Sequence, residues 1–276
     1  MNKDFSDWLV ASDVDGTLNT KARTFPNVNR DAIARFANEL NGNFTLASGR
    51  GVESIRRHYE KLPVEKRIPA VIINGAGIYD FTKEELIYFS PVNEYGRSFV
   101  REVLKKHPSC EAEIVSPDIN YFVNERIFAP FMRHDDSLKY EKYKNIDDVP
   151  FDKWGKVIIM GPPGVIKKVQ KEAAEAENAS KITFMLSSVV SFEVLGENTN
   201  KGVAVLKLAE MLGIEREHIA AIGDYFNDYE MLKSVGLPAC CAQAPEAMHK
   251  IARYHACHCN KGAVADLLKH IENNYN

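Results

Sequence analysis

The chain has 276 residues, of which 45% are hydrophobic and 26% are charged, and its formal net charge is −3. This length favours two domains, and the composition is that of an ordinary globular protein with enough apolar residues for two cores. The weak net charge excludes a general electrostatic attraction to nucleic acid or anionic lipid, which favours a small-molecule partner.

From the sequence we expect neither export nor membrane insertion. Residues 1–7 include two acids and lack the apolar core of a signal peptide, and no later apolar run approaches the length of a membrane span. The five cysteines are an odd number without a recurring spacing, which is typical of reduced thiols. We therefore expect a cytoplasmic protein.

A group of histidines and cysteines near the C-terminus raises the question of a metal site. The group consists of His255, Cys257, His258 and Cys259. Its spacing matches no standard zinc pattern, and in a strand the two cysteines would share one face while His258 takes the other. We therefore do not expect these four residues to form a structural zinc site.

The first part of the chain alternates short apolar runs with helical patterns. The runs predict strands at residues 8–11, 44–47 and 70–73, and helices at 29–40 and 52–62. Asn29 is a plausible cap for the first helix. The order β-α-β-α-β is typical of a doubly wound parallel sheet.

The pattern changes after residue 80. We predict a hairpin at 77–80 and 86–90, helices at 93–106 and 165–176, and strands at 114–115, 121–123, 156–160, 182–186 and 189–195. Residues 161–164, Gly-Pro-Pro-Gly, lack the Gly-Lys-Ser/Thr ending of a phosphate loop, and prolines remove its donors, so they predict a turn. This region is expected to be a second, α+β unit.

The α/β pattern resumes at Lys201. It predicts a helix to residue 212, a strand at 219–222, a short helix at 229–234, short strands around Ala239 and Tyr254, and a terminal helix from Gly262.

Two carboxylates, Asp13 and Asp15, follow the first predicted strand, and Gly16 comes next. In an open parallel sheet the ligand crevice lies beyond the carboxyl ends of the strands, and glycine lets the backbone turn and approach an anion. Carboxylates placed there can hold Mg²⁺, and one of them can attack phosphorus. A simple polar turn is the alternative. An EF-hand is excluded, because Leu18 and Thr24 stand where that loop needs Gly and Glu.

Polar residues also follow two other predicted strands. Ser48 follows the second strand, Asp224 and Asp228 follow the strand at 219–222, and Lys201 opens the preceding helix. A turn or a solvated surface explains any one of them, but their combination at strand ends favours a single phosphate site.

In chain order, residues 13–17, 48–50, 200–202 and 223–228 resemble the four motifs of the haloacid dehalogenase superfamily. Their Ser-Gly-Arg, Lys-Gly and Gly-Asp-x-x-Asn-Asp forms, with Asn74-Gly75-Ala76 and a long insertion, are similar to those of the Cof-type phosphatases of class IIB. Two departures stand out: Tyr225 and Phe226 fill the fourth motif, and Gln243-Ala244 stands where the family often has Asn-Ala.

The resemblance implies an α/β fold with a Rossmann-like, doubly wound parallel-sheet core and an inserted α+β cap domain that closes over the substrate. We place the core at residues 1–83 and 191–276 and the class IIB cap at 84–190. It also implies Mg²⁺-dependent hydrolysis of a small phosphate monoester, such as a sugar phosphate, through an aspartyl-phosphate intermediate.

The resemblance assigns roles to individual residues. Asp13 is the expected nucleophile, Asp15 the acid and base, and Asp228 a residue that orients Lys201 or a metal-bound water. The expected metal ligands are Asp13, Asp224 and the backbone carbonyl of Asp15. The residues expected to bind the substrate phosphate are Gly16, Ser48, Gly49, Lys201 and Asn227, and Ser48 and Lys201 also count among the catalytic residues.

Other functions stay open at this point. A phosphotransferase or phosphohexomutase would use the same groups with a sugar hydroxyl in place of water, and a non-catalytic regulatory binding protein on this fold would lack some of them. We expect a small phosphorylated metabolite as partner, no nucleic acid or membrane partner, and a monomer or small homo-oligomer. Candidates for contacts to the leaving group, which are more often packing or surface residues, are Tyr121, Phe122, Arg133, His134 and Lys156.

Overall fold

The computed structural model describes residues 3–132, 139–151 and 153–275. The strands are β1 (Leu9–Ser12), β2 (Asn43–Leu46), β3 (Ala70–Ile72), β4 (Gly77–Asp80), β5 (Glu85–Phe89), β6 (Glu111–Val115), β7 (Asn120–Val123), β8 (Tyr140–Tyr143), β9 (Lys156–Met160), β10 (Thr183–Ser188), β11 (Ser191–Leu195), β12 (Ile219–Gly223), β13 (Leu237–Cys241) and β14 (Tyr254–Ala256). The α-helices are α1 (Asn27–Ala34), α2 (Val52–Tyr59), α3 (Glu94–Lys106), α4 (Phe128–Met132), α5 (Pro163–Glu175), α6 (Lys201–Leu212), α7 (Tyr229–Ser234), α8 (Glu246–Ile251) and α9 (Ala263–Asn274).

The chain divides into two units. One contains the chain up to Gly49, Ile55–Ile87 and the chain from Asn200 onward, and the other contains Arg50–Ser54 and Tyr88–Thr199. The cap boundaries that we placed at residues 84 and 190 stay a prediction. The second unit itself continues past residue 190, because β11 pairs with β9 and β10 in its sheet.

The first unit is built on a parallel sheet with the strand order β14-β13-β12-β1-β2. Every residue of β1, β2, β12 and β13 is buried, as expected where helices cover both faces of a parallel sheet. β1 lies between β12 and β2, with all three strands running in the same direction. Their carboxyl ends therefore meet at one edge of the sheet, where Asp13, Ser48 and Asp224 follow them.

A bridge between Ala47 and Val71 extends parallel pairing from the end of β2 to β3. β3 then turns back through β4 and β5 in a separate sheet of order β3-β4-β5. The turn between β3 and β4 is unusual, because Ile73, Asn74 and Gly75 all adopt positive φ angles. Only Gly75 takes this conformation without steric cost, so the surrounding structure must hold the other two in place.

The second unit contains a mostly antiparallel sheet of order β10-β11-β9-β6-β7-β8. Alternate side chains of β6 divide between its faces: Ala112 and Ile114 join an apolar core that also contains Tyr121 of β7. The opposite face is polar although buried, and Lys156 of β9 pairs there with Glu193 of β11 at 3.1 Å. Tyr121 thus packs in the core, whereas Lys156 has a carboxylate partner. The candidates Arg133 and His134 lie outside the described residues.

The predicted α/β fold class is confirmed, and most elements lie where the hydrophobic pattern placed them. Strand β8 and helices α4 and α8 have no counterpart among the predictions. The cap predicted at Asn29 is wrong, because α1 begins two residues earlier and Asn29 is buried within it. In the described ranges, the structure has no helix that combines the length and apolar character needed to cross a membrane.

Candidate active site

The loop after β1 lies against the loop after β12, so Asp13 and Asp224 are close to each other. The backbone N–H of Asp13 donates to the carbonyl of Ile222 in β12 at 3.0 Å, which ties the two strand ends to each other. Gly16 has a φ of 81°, and a Cβ atom at this position would lie only 2.4 Å from Oδ2 of Asp224. Glycine is therefore required twice over, for the turn and for the close approach of Asp224.

Lys201 lies at the centre of the site. Its side chain is fully buried, and its Nζ donates to Oδ1 of Asp13 and to Oδ1 of Asp228, each at 2.6 Å. A buried ammonium is stable only when it is paired and hydrogen-bonded, and the two carboxylates satisfy this requirement.

The start of helix α6 fixes the position of Lys201. The side chain of Asn200 caps the helix by accepting a hydrogen bond from the Val203 N–H at 3.0 Å. Gly202 faces α7 so closely that a Cβ atom there would lie 2.6 Å from the Glu230 carbonyl. Gly75 similarly leaves no room for a side chain beside the carbonyl of Asn200. The helix start is thus held by packing on two sides.

Both carboxylate oxygens of Asp228 have partners. While Oδ1 accepts from Lys201, Oδ2 accepts from the backbone N–H groups of Asp224 at 3.0 Å and Tyr225 at 3.4 Å. Asp228 thus connects Lys201 to the loop that carries Asp224. These are the contacts that the orienting role predicted for Asp228 requires.

Three carboxylates of this site could hold a metal ion. One oxygen from each of Asp13, Asp224 and Asp228 lies within 4.8 Å of the others. Mg²⁺ prefers oxygen ligands and keeps several waters, so these residues fit it. Because Asp228 is occupied by Lys201 and two N–H groups, Asp13 and Asp224 are the better placed ligands. Asp15 was predicted to bind the metal through its backbone carbonyl. Its side chain is exposed, and its backbone forms an isolated β-bridge with Asn19.

The electrostatics of the cluster also favour a cation. Burial, with repulsion from Asp228, raises the pKa of Asp13 to about 7, although Lys201 opposes the shift. Burial and repulsion from Asp13 raise the pKa of Asp224 to about 6. Burial also raises the pKa of Asp228, against the attraction of Lys201. Burial alone would lower the pKa of Lys201, but the two acids raise it above its ordinary value. A divalent cation would relieve the repulsion that remains between the carboxylates.

The other predicted phosphate-binding residues lie on neighbouring loops. Ser48 is buried at the end of β2, where its N–H donates to the Val71 carbonyl at 3.0 Å and its carbonyl accepts from the Asn74 N–H at 2.9 Å. A Cβ atom on Gly49 would lie 2.8 Å from Oδ1 of Asn74. Asn227 is half-buried in the short 3₁₀ turn that precedes α7.

Gln243 supports the loops that carry Gly16 and Asp224, a role that the sequence did not predict. Its Nε2 donates to the Gly16 carbonyl at 2.6 Å and lies 3.4 Å from Oδ2 of Asp224, and its Oε1 accepts from the Cys259 N–H at 3.1 Å. The one signal in the sequence was the departure from Asn-Ala at this position. The longer glutamine side chain bridges three loops of the site.

The raised pKa values of the acids predict how the metal-free protein responds to pH. Between their ordinary pKa of 3.8 and the folded values of about 6 and 7, native Asp224 and Asp13 keep protons that the unfolded chain has lost. The free energy of unfolding should therefore fall as pH rises through this window, and their contribution should level off above it. Asp224→Asn should flatten this slope in urea unfolding. Asp31→Asn, an exposed control, should not, and an unchanged slope in Asp224→Asn would contradict the prediction.

Comparisons with known proteins show the family of this chain. The family model of haloacid dehalogenase-like hydrolases matches residues 10–268. The phosphatase YwpJ of Bacillus subtilis is 24% identical over 289 residues, covering 95% of this chain and 99% of the relative. The HMP-PP phosphatase of Citrobacter koseri is 25% identical over 266 residues, covering 95% of this chain and 94% of the relative.

A solved structure has the same fold. The HAD subclass IIB sugar phosphatase BT4131 matches with a TM-score of 0.79 at 16% identity, over 96% of this chain and 99% of its own. The family match extends over nearly the whole chain and confirms the resemblance found in its motifs. The chain therefore belongs to the haloacid dehalogenase-like hydrolase family and is an enzyme of the phosphatase type.

Proposed function

We propose that this protein hydrolyses a small phosphate monoester through a phosphorylated Asp13, with Mg²⁺ as cofactor. The observation that carries the proposal is the buried Lys201 ammonium, which binds Asp13 and Asp228 at 2.6 Å beside the Asp224 carboxylate. Carboxylates at the carboxyl ends of adjacent strands, with a buried positive charge between them, are groups that phosphoryl transfer needs, and this supports the proposal.

In the first step, a carboxylate oxygen of Asp13 attacks phosphorus, and the bond between phosphorus and the leaving alkoxide breaks. Asp15 gives its proton to that alkoxide. Asp15 suits this role because its side chain is exposed and can exchange protons with solvent. Lys201, the N–H groups of residues 14–16 and the Ser48 hydroxyl offset the charge of the transferred group.

In the second step, Asp15 takes a proton from water as the water attacks the phosphorus of the aspartyl-phosphate. The bond from phosphorus to Asp13 breaks, which restores the carboxylate and releases inorganic phosphate. When bound at Asp13 and Asp224, Mg²⁺ supplies positive charge that offsets the negative charge of the phosphoryl group and the carboxylates. Asp228 keeps Lys201 in place during both steps, and Asn227 is available to donate to phosphate or to a neighbouring loop.

A sugar phosphate is our proposed substrate class. BT4131 is named a sugar phosphatase, whereas the relative in Citrobacter koseri is named an HMP-PP phosphatase. The family therefore tolerates different leaving groups, and the test is a Mg²⁺-dependent screen of sugar phosphates, nucleotides and cofactor phosphates. We propose that residues 84–190 form the cap that selects among them. Product analysis distinguishes hydrolysis, which releases inorganic phosphate, from a phosphotransferase or phosphohexomutase, which yields a second phosphate ester.

Asp15→Asn should trap the phosphorylated enzyme. An aryl phosphate with a good leaving group needs little protonation, so Asp13 can still be phosphorylated, but the water of the second step has lost its base. Rapid-quench mass spectrometry should find one added phosphoryl group on the peptide that contains Asp13. A label on Ser48 or a histidine would overturn the assignment of Asp13 as the nucleophile, and turnover without any label would favour direct attack by water.

Removal of the metal should abolish activity. With excess chelator, hydrolysis of an aryl phosphate should stop, and added Mg²⁺ should restore it, because the clustered carboxylates need a counter-charge. Mg²⁺ at about 100 times its dissociation constant should also raise the free energy of unfolding by about 2.7 kcal/mol. Full activity in chelator would contradict the proposal.

The cytoplasmic location and the state as a monomer or small homo-oligomer stay predictions.

A further inference from the structure

A second group of possible metal ligands includes Cys240 of strand β13. In strand β13, Cys240 and Cys241 point to opposite faces. Cys241 places its Sγ 3.9 Å from the Thr17 hydroxyl in the loop after β1. Cys240 instead faces His249 of helix α8, with Sγ 3.3 Å from Nδ1.

His255 completes the group through strand pairing. In the parallel register of β13 and β14, Cys240 is the partner of His255, so their side chains lie on the same face of adjacent strands. One ligand atom from each of Cys240, His249 and His255 lies within 4.8 Å of the others. The group thus connects two strands and the helix between them.

The distance between Cys240 and His249 suits a tetrahedral Zn²⁺ ion. Zinc binds cysteine sulfur at about 2.3 Å and histidine nitrogen at about 2.0–2.1 Å, which puts sulfur and nitrogen about 3.5 Å apart in a tetrahedron. The observed 3.3 Å between Cys240 and His249 is close to this value. Little movement of these two side chains is needed to accept the ion.

The orientation of His255 is fixed by a contact of the kind that accompanies metal-binding histidines. Its Nε2 lies 3.1 Å from the backbone carbonyl of His249. A neutral imidazole that donates from Nε2 carries its lone pair on Nδ1, and such a hydrogen bond to a carbonyl commonly orients a histidine ligand. The backbone of α8 thereby positions the imidazole ring of His255.

The metal-free protein has a stable arrangement of the same groups. Burial raises the pKa of the Cys240 thiol to about 11, so the thiol stays neutral and can donate to Nδ1 of His249. Zn²⁺ would replace this proton, which leaves to solvent as the sulfur binds the ion. Cys240 is buried and His255 is exposed, so the site is open to solvent on the side of β14.

We propose that Cys240, His249 and His255 form a Zn²⁺ site with water as the fourth ligand. Sulfur and imidazole ligands select zinc over magnesium, whereas the carboxylates of Asp13 and Asp224 favour the harder Mg²⁺. β14 lies at one end of the strand order, so the ion would bind this strand to β13 and α8. The proposal does not depend on the proposed phosphatase mechanism.

The test uses the full-length protein, stripped of metal and supplied with excess Mg²⁺. Titration with Co²⁺ should produce a thiolate-to-metal absorption band at one equivalent, and Zn²⁺ should displace Co²⁺ and remove the band. Cobalt held only by carboxylates gives no such band, so its absence would overturn the proposal even if metal binds at the acidic cluster.

Three variants assign the band to these residues. Cys240→Ala should abolish it, and His255→Ala, an exposed change that spares the core, should weaken Zn²⁺ binding by more than about 100-fold, beyond the 10–100-fold typical of residues that only support a ligand. Cys257→Ser, in the same segment but outside the group, should bind Zn²⁺ as the unaltered protein does. A band that survives Cys240→Ala or an affinity unchanged in His255→Ala would overturn the proposal.

Discussion

Asp13→Asn should lower kcat/KM for an aryl phosphate by about 10⁴-fold or more, the scale seen when a covalent nucleophile is removed. The amide is a poor nucleophile, and the substitution also removes one negative ligand from the proposed Mg²⁺ site. The folded protein should nevertheless remain stable. The carboxylate of Asp13 is buried beside Asp228, and burial and this repulsion raise its pKa, so a neutral side chain relieves part of a repulsion.

Steady-state kinetics and thermal unfolding of the same preparations separate these two effects. Asp31→Asn, an exposed acid on α1, serves as the matched control and should keep both the activity and the melting temperature. If Asp13→Asn retained more than about a hundredth of the activity, Asp13 would not be the nucleophile. A large loss of melting temperature would show instead that the carboxylate is needed for folding.

Lys201→Met should remove activity and also destabilise the fold by about 3–5 kcal/mol, the cost of leaving buried charges without their partner. Asp13 and Asp228 both lose the ammonium that binds them at 2.6 Å. Their pKa values should rise further, so protonation can relieve the repulsion at low pH. The loss of unfolding free energy should therefore be larger at pH 8 than at pH 5.

Urea unfolding at the two pH values measures this difference directly. Lys269→Met on α9 is the control, since it removes an exposed lysine of the same unit and should change the unfolding free energy by less than about 0.5 kcal/mol. If Lys201→Met lost as much unfolding free energy at pH 5 as at pH 8, relative to the unaltered protein, the ionised forms of the two acids would not depend on the lysine.

The sequence predicted where the candidate site residues lie in the fold, because their positions follow from local patterns. The apolar run of β1 predicts a buried strand, and in a parallel sheet its carboxyl end is where a ligand binds. Asp13, Ser48 and Asp224 are placed by that rule alone, without knowledge of side-chain packing. Lys201 was predicted differently, because it opens a helix and lies within residues 200–202, one of the four motifs that resemble the family.

Long-range packing explains what the sequence did not predict. Asn29 resembles a helix cap, but its side chain donates to the Leu18 carbonyl and accepts from the Ala265 N–H, partners distant in sequence. Gln243 bridges three loops that only the folded sheet brings together. The Cys240 group likewise depends on the register of β13 and β14. No local spacing contains this information.

The order of strands also determines when the active site can form. Asp13 and its partner Lys201 are 188 positions apart, and β12, the neighbour of β1, comes later still. Contacts of such long range form slowly, because the chain must first be brought together over a large loop. During synthesis, Asp13 leaves the ribosome long before Lys201 does. The proposed phosphate site should therefore form only after β12 and the loop that carries Asp224 have been made.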